Sequence, residues 1–399
     1  MQMRLSQVLT FCSICVALLL GSLLPASAIP VFARKYGFNC TMCHSNFPRL
    51  NDFGQRYRQN GYQLPGRENE EKTILETGAP VAARINGGFD YDRFENTSGE
   101  ENIRQFRITS FDVLSGGLLG KSIGYLVVYP PKIEGSSGIA AQPGTVEMAN
   151  VIFSRLVDGR GSVRAGRFEP AYDAFSVKRR LSFAPYEIYD FTFPGGTAFS
   201  DTVDGIELAD RGKGAMSYAA GLINGSSSDR LDDSPQDFYL RAAKVFGPGE
   251  GQTAGQRLGV VGYFGKARPM LGDGSRQGFD RIGVDGSVNF DHWNVAIQLL
   301  RGNDDGALWG TASDVDFSGG FVEASYLPAT KLVGFGRYDW VSTPDEINQD
   351  IRRWVLGGRY YFADNLAFHC EYSHRRQDNA SEAGDATEKF YFGGLDFAF

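Results

Sequence analysis

Cys40-Thr41-Met42-Cys43-His44 is the place in this chain where residue types and spacing specify a chemistry. Two thiols at this separation can each bond a vinyl group on one edge of a porphyrin, and the next residue can turn its imidazole onto the iron. The C-x-x-C-H run therefore predicts one covalent haem c, attached through Cys40 and Cys43, with His44 as the proximal ligand. Two other readings compete. A thioredoxin-like pair would need a surrounding βαβ pattern and no trailing His, and a zinc half-site would need two further Cys or His nearby, where none appears before His292.

Residues 1–28 read as a secretory signal: Arg4 gives a positive start, Val8 to Leu24 is almost wholly apolar, and Ala26-Ser27-Ala28 is a small-x-small cleavage site. An uncleaved anchor is the alternative, but it lacks flanking basic residues. Export makes the haem motif chemically usable. With Cys12 and Cys15 removed, Cys370 is the only cysteine left beside the motif, so no disulfide framework is expected.

The elements that must carry the motif follow from the rest of the chain. No later run approaches eighteen consecutive apolar residues, so no transmembrane helix is expected. Fifty glycines, 13% aromatics and a mean hydropathy of -0.26 suit strands with lipid on one face and water on the other. In one segment Val81, Ala83, Ile85, Gly87, Phe89 and Tyr91 share a face opposite Arg84, Asn86, Asp90 and Asp92. Trp354, Leu356, Gly358, Tyr360 and Phe362 repeat the pattern against Arg353, Gly357 and Arg359. The last residues place Tyr391, Leu395, Phe397 and Phe399 on one face, which resembles the terminal-strand signal of bacterial outer-membrane barrels.

About sixteen such segments can be counted. Tight turns are predicted at Gly120-Lys121, Asp158-Gly159, Arg211-Gly212, Asp291-His292, Pro328-Ala329 and Asp364-Asn365, with longer polar connections between them. The expected fold is all-β: a transmembrane antiparallel β-barrel with a small N-terminal α-helical haem c segment. The expected division is a signal peptide at 1–28, the haem segment at 29–78 and the barrel at 79–399. The longest connection, about Pro170 to Ser200, is rich in aromatics and is expected either to fold inward or to cap the barrel mouth.

A short amphipathic helix is predicted over 47–57, with Leu50, Phe53, Gly54 and Tyr57 on one face and Gly61 as its stop. Phe32, Tyr36 and Phe38 add apolar surface. So short a segment cannot enclose a haem alone. The barrel must supply the missing wall, which places the segment in or against the periplasmic mouth as a plug.

Pro30-x-Phe32-Ala33-Arg34, Cys40-x-x-Cys43-His44, Pro48-x-Leu50-x-x-Phe53-Gly54 and Gly61-Tyr62 together resemble the fused single-haem cytochrome-porins of the bacterial outer membrane. The best-known members of that family oxidise ferrous iron at the cell surface. Over the barrel the likeness is architectural only. It implies electron transfer from an extracellular donor, Fe(II) being one candidate, through the haem to a periplasmic carrier.

The distal iron ligand is not specified by the motif. Candidates are His369, which alternation turns into the lumen with Glu371, and His292 at a turn, with Met148 also on the lumenal list. Five-coordinate iron stays open. Carboxylates at Asp229, Asp232, Asp233 and Asp237, at Asp304 and Asp305, and at Asp345, Glu346 and Asp350 either steer a cation or are ordinary solvated surface. The net charge of -7 comes with no basic patch for nucleic acid, no phosphate loop and no hydrolytic triad. The functional alternative to an electron conduit is a diffusion porin whose haem segment gates or anchors.

Overall fold

The computed structural model describes residues 32, 36–38, 42–46, 49–68, 70–131, 144–172, 174–192, 199, 201–211, 215–225, 237–246, 256–267, 277–306, 314–329, 331–363, 365–381 and 384–398. The signal-peptide reading therefore lies outside the described residues, as does Cys40. A small hairpin pairs β1 (His44–Asn46) with β2 (Arg49–Leu50). Helix α1 (Asp52–Gln59) and the single turn α2 (Ile74–Thr77) follow.

The wall is a closed antiparallel barrel of sixteen strands. Its first half runs β3 (Val81–Asn96), β4 (Gly99–Gly120), β5 (Ile123–Tyr129), β6 (Met148–Val157), β7 (Arg160–Phe168), β8 (Val203–Arg211), β9 (Met216–Asn224) and β10 (Asp237–Phe246). Its second half runs β11 (Gln256–Ala267), β12 (Gln277–Phe290), β13 (Trp293–Asp304), β14 (Val315–Ala329), β15 (Leu332–Ser342), β16 (Ile351–Ala363), β17 (Leu366–Ser381) and β18 (Gly384–Ala398). A further helical turn, α3 (Glu187–Asp190), interrupts the β7–β8 connection. Strand β18 closes on β3, where Tyr391 lies opposite Tyr91 with ring centroids 5.7 Å apart.

What makes this a lipid-facing wall is an inverted burial pattern. Outward positions expose large apolar groups: Leu258 at 60%, Leu356 at 59%, Trp354 at 58% and Ile282 at 56%. Inward positions bury polar ones, with Gln298 and Asp339 at 0% and Arg337 at 2%. A chain folding in water would do the reverse. The alternation predicted for 353–362 is the one observed, since Arg353 and Arg359 are buried inward while Trp354, Leu356 and Tyr360 are exposed.

One rim carries the tight turns at 121–122, 158–159, 291–292 and 364–365. At Asp158 and Gly159 both φ angles are positive, +49° and +72°, as a two-residue hairpin that follows the strand twist requires. The predicted turn at Pro328-Ala329 moves to 330–331, because β14 runs on to Ala329 past a bulge. The connection 247–255 on the same rim is long. At the opposite rim the strand ends are separated in sequence by 130–147, 169–202, 225–236, 268–276, 305–314 and 343–350, but only by 97–98 between β3 and β4 and by 382–383 between β17 and β18.

The helix predicted over 47–57 begins later, at Asp52. The preceding residues are taken up by the β1–β2 hairpin, and Asn51 caps the helix by accepting from the Gly54 N–H at 2.9 Å. The chain then leaves through Gly61 at φ +68°, the predicted stop.

Candidate functional site

Of the C-x-x-C-H motif, Cys43 and His44 lie within the described residues, and both are only partly buried. The Cys43 carbonyl accepts from the Asn51 N–H at 2.9 Å, and the Met42 carbonyl accepts from Asn51 Nδ2 at 3.0 Å. Helix α1 presses closely on this turn: a Cβ at residue 54 would lie 2.2 Å from the Cys43 carbonyl oxygen, so only glycine fits. The cap and Gly54 thus lock the second half of the motif onto the helix.

Burial pushes the Cys43 thiol up to about 11. That is the opposite of the lowered pKa a redox-active or zinc-binding thiolate needs. Among the described residues no three His, Cys, Asp or Glu come together as a metal cage.

Around α1 the aromatic residues singled out in the sequence do gather. Phe32 stacks on Tyr62 at 4.8 Å and meets Tyr57 edge-on at 5.4 Å, while Tyr36 stacks on Phe38 at 5.3 Å. Phe53 and Leu64 join them, and Leu126 and Ile152 of the barrel wall complete the cluster. Side chains of strands β5 and β6 thus pack against the segment that carries Cys43 and His44. The donors within the described residues suit a haem c: Cys43 at a turn and His44 next to it at the start of β1, with aromatic side chains gathered around the neighbouring helix.

The two distal-ligand candidates sit elsewhere. His369 is 1% exposed on the inner face of β17, against Phe335 and Phe392, with its Nε2 3.2 Å from Glu371. His292 is exposed on its turn, 2.7 Å from Asp291. The ring neighbours of His369, Phe335 and Phe392, are not among the aromatic residues gathered at α1. Met148 is buried on the inner face of β6, as alternation predicts.

Two acidic positions differ from their expected place in solvated loops. Asp304 is buried at the end of β13, where Arg281 donates to it at 2.8 and 2.9 Å. Asp237 is buried at the start of β10, accepting from Tyr263 at 3.0 Å. Both are at strand ends with inward parity, where they brace the wall. Asp229, Asp232 and Asp233 lie outside the described residues.

The β7–β8 connection folds into the lumen and binds the opposite wall. Arg337 donates to Ser182 and to the carbonyls of Ala184 and Pro185, and pairs with Asp339 at 2.7 Å. Arg359 donates to the Leu181 carbonyl at 3.0 Å. Glu371 receives the N–H groups of Phe183 and Ala184. Glu187 of α3 pairs with Arg353 at 2.8 Å and Arg375 at 3.1 Å. From the other side Arg49 of β2 reaches Asn294 and Tyr186 at 3.1 Å each and pairs with Glu323. Loop, N-terminal segment and wall therefore share one network inside the barrel. Alternation alone could have marked Arg337 and Asp339 as inward. It could not have named their partners 150 residues away.

The barrel architecture matches known structures. An anion-selective porin from Comamonas acidovorans superposes with a TM-score of 0.57 at 14% identity, over 80% of this chain and 100% of that one. The outer membrane channel DcaP of Acinetobacter baumannii gives 0.59 at 10% identity, over 80% and 97%. OprB of Pseudomonas putida gives 0.59 at 11% identity, over 82% and 95%. At these identities the likeness is one of fold, a porin-type sixteen-strand barrel. No family model and no curated protein matches the sequence.

Proposed function

We propose that this chain sits in the bacterial outer membrane and passes electrons between an extracellular donor, with Fe(II) one candidate, and a periplasmic carrier through one covalent haem c. Cys40 and Cys43 would hold the haem and His44 would ligate its iron; when bound, the group supplies a one-electron redox centre. The observation that carries the reading is the pairing of that motif with an N-terminal segment and a loop packed against the inner wall of the barrel. In an open diffusion channel inward side chains are wetted, whereas here Gln298, Glu323, Arg337 and Asp339 are 2% exposed or less beneath the inward loop and Arg49.

The chain's own residues have definite parts in this reading. Asn51 and Gly54 fix the backbone beside Cys43, and Phe32, Tyr57 and Tyr62 keep water from one side of the segment. Arg49 ties the segment to the wall. In this proposal 29–78 is a haem segment lodged within the barrel formed by 79–399, and the signal at 1–28 is removed on export.

The second reading, a diffusion porin with a gating or anchoring segment, is favoured by the structural likenesses, which are to porins and channels. They concern the wall, and of the two readings they support this one more. The deciding measurement uses the full chain, expressed with a cytochrome c maturation system and placed in vesicles. Fe(II) added outside should reduce a haem that survives acid-acetone extraction, and Cys43→Ala should lose covalent haem while the barrel still folds. A chain carrying no covalent haem, or one that conducts solutes and is reduced by no outside donor, would move the assignment to the porin.

A further inference from the structure

Between α1, the inward loop and the inner wall of β6 to β13 lies a cavity of about 200 Å³. Six guanidinium groups border it: Arg49 and Arg58 from the N-terminal segment, Arg179 from the loop, and Arg164, Arg241 and Arg257 from the wall. The carboxylates paired with them are fewer. Arg58 and Arg179 share Glu169, Arg241 and Arg257 share Asp285, Arg164 has Glu207 and Arg49 has Glu323. Among the described residues, six positive charges thus meet four negative ones. An uncompensated pair of charges in a partly dehydrated space is costly unless something neutralises it.

Three features point to what does. Arg241 Nη1 and Arg257 Nε are buried with no hydrogen-bond acceptor among the described residues. Ala209, Ala219 and Ala243 line the wall where larger side chains would fill the space, and Ser162 and Gln55 supply neutral hydrogen-bonding groups around it. Burial first, and then neighbouring Arg164 and Arg179, lower Arg58 to about 10, with Glu169 opposing the shift.

We propose that this cavity binds a polyvalent oxyanion, a phosphate or a small polycarboxylate. Guanidinium groups match such oxygens through paired, charge-assisted hydrogen bonds, and the volume admits a few heavy atoms beyond one phosphate. This goes beyond the electron-transfer reading and does not depend on it, since none of the six arginines belongs to the C-x-x-C-H motif. Because Arg49, Arg58 and Arg179 come from separate segments, a bound anion would also clamp the N-terminal segment and the loop to the wall.

The test is calorimetric titration of the purified full chain in detergent with inorganic phosphate and with citrate, against chloride at equal ionic strength. Saturable binding of at least one polyvalent anion is expected, weakened about tenfold or more in Arg241→Gln and in Arg257→Gln, as loss of a charge-assisted hydrogen bond implies. Arg301→Gln, at an exposed pair with Asp316, should bind as the parent does. Heat-dependent gel migration establishes that each variant is a folded barrel. No saturable binding by the unmutated chain overturns the proposal, and so does equal binding by the folded Arg241 and Arg257 variants. Binding confined to haem-free protein also overturns it, because the cavity would then belong to the carboxylates of the haem.

Discussion

Arg337→Ala should release the inward loop while leaving the barrel closed. The Arg337 side chain is 0% exposed and holds four partners: Asp339, Ser182 and the carbonyls of Ala184 and Pro185. Truncation leaves Asp339, also 0% exposed, as a buried charge without its main partner, which costs roughly 3 to 5 kcal/mol. The loop can relax and recover part of its own hydrogen bonding, so about 3 kcal/mol is the working figure, roughly a hundredfold in the equilibrium between docked and undocked loop. The wall survives because its strands pair only with one another around the ring. Hydrogen exchange in detergent reads the change directly. The amides of Phe183 and Ala184, which donate to Glu371, and of Glu187, which donates to Asp339, should lose about two orders of magnitude of protection. Conductance in planar bilayers should rise in parallel. Arg301→Ala removes an exposed ion pair, worth about 0 to 1 kcal/mol, and should change neither. If exchange at 183, 184 and 187 is the same in Arg337→Ala as in the parent, the loop is not held by this arginine and the packed-lumen reasoning is wrong.

Two further outcomes follow from other parts of the wall and lumen. Leu356→Arg puts a charge on the outer face of β16, where Leu356 is 59% exposed; facing lipid near mid-depth it should cost about 2 to 4 kcal/mol in denaturant-driven folding into vesicles, and an unchanged midpoint would place that face in water. Burial alone would raise Glu169, but Arg179 and Arg58 hold it below the usual carboxylate range, so its contribution is present above about pH 4.3 and fades as pH falls through its lower folded value. Protection factors of the loop amides, corrected for the intrinsic pH dependence of exchange, should therefore fall on acidification below pH 4, and Glu169→Gln should remove that part of the acid response.

Much of the wall was legible because a strand in a barrel obeys a local rule. Inward and outward residues alternate whatever their partners, so 353–362 and the terminal strand could be placed from their own sequence, and Asp158-Gly159 announces its turn through backbone preferences alone. The rims were harder. Length of polar sequence does not distinguish loop from strand when strands project beyond the membrane, which is why β3 and β4 run on to a tight turn at 97–98 and why Asp237 and Asp304 belong to the wall. The helix boundary was lost because Phe47 to Leu50 suits an amphipathic helix by spacing, while pairing of His44 with Leu50 makes a hairpin instead. Partners across the lumen, such as Arg337 with Ser182 or Arg49 with Glu323, depend on how a thirty-residue loop folds back. No local periodicity encodes that.

The aromatic cluster around α1 draws on both ends of a long assembly. Phe32, Tyr57 and Tyr62 come early in the chain, but Leu126 and Ile152, which cover them, belong to strands β5 and β6, and the ring of strands closes only when β18 meets β3. Contents are thus synthesised before their container. Until the wall forms, this greasy patch has nothing to lean on except itself. The segment and the ring of strands around it should therefore become ordered together, with the patch protected only once β5 and β6 are in place.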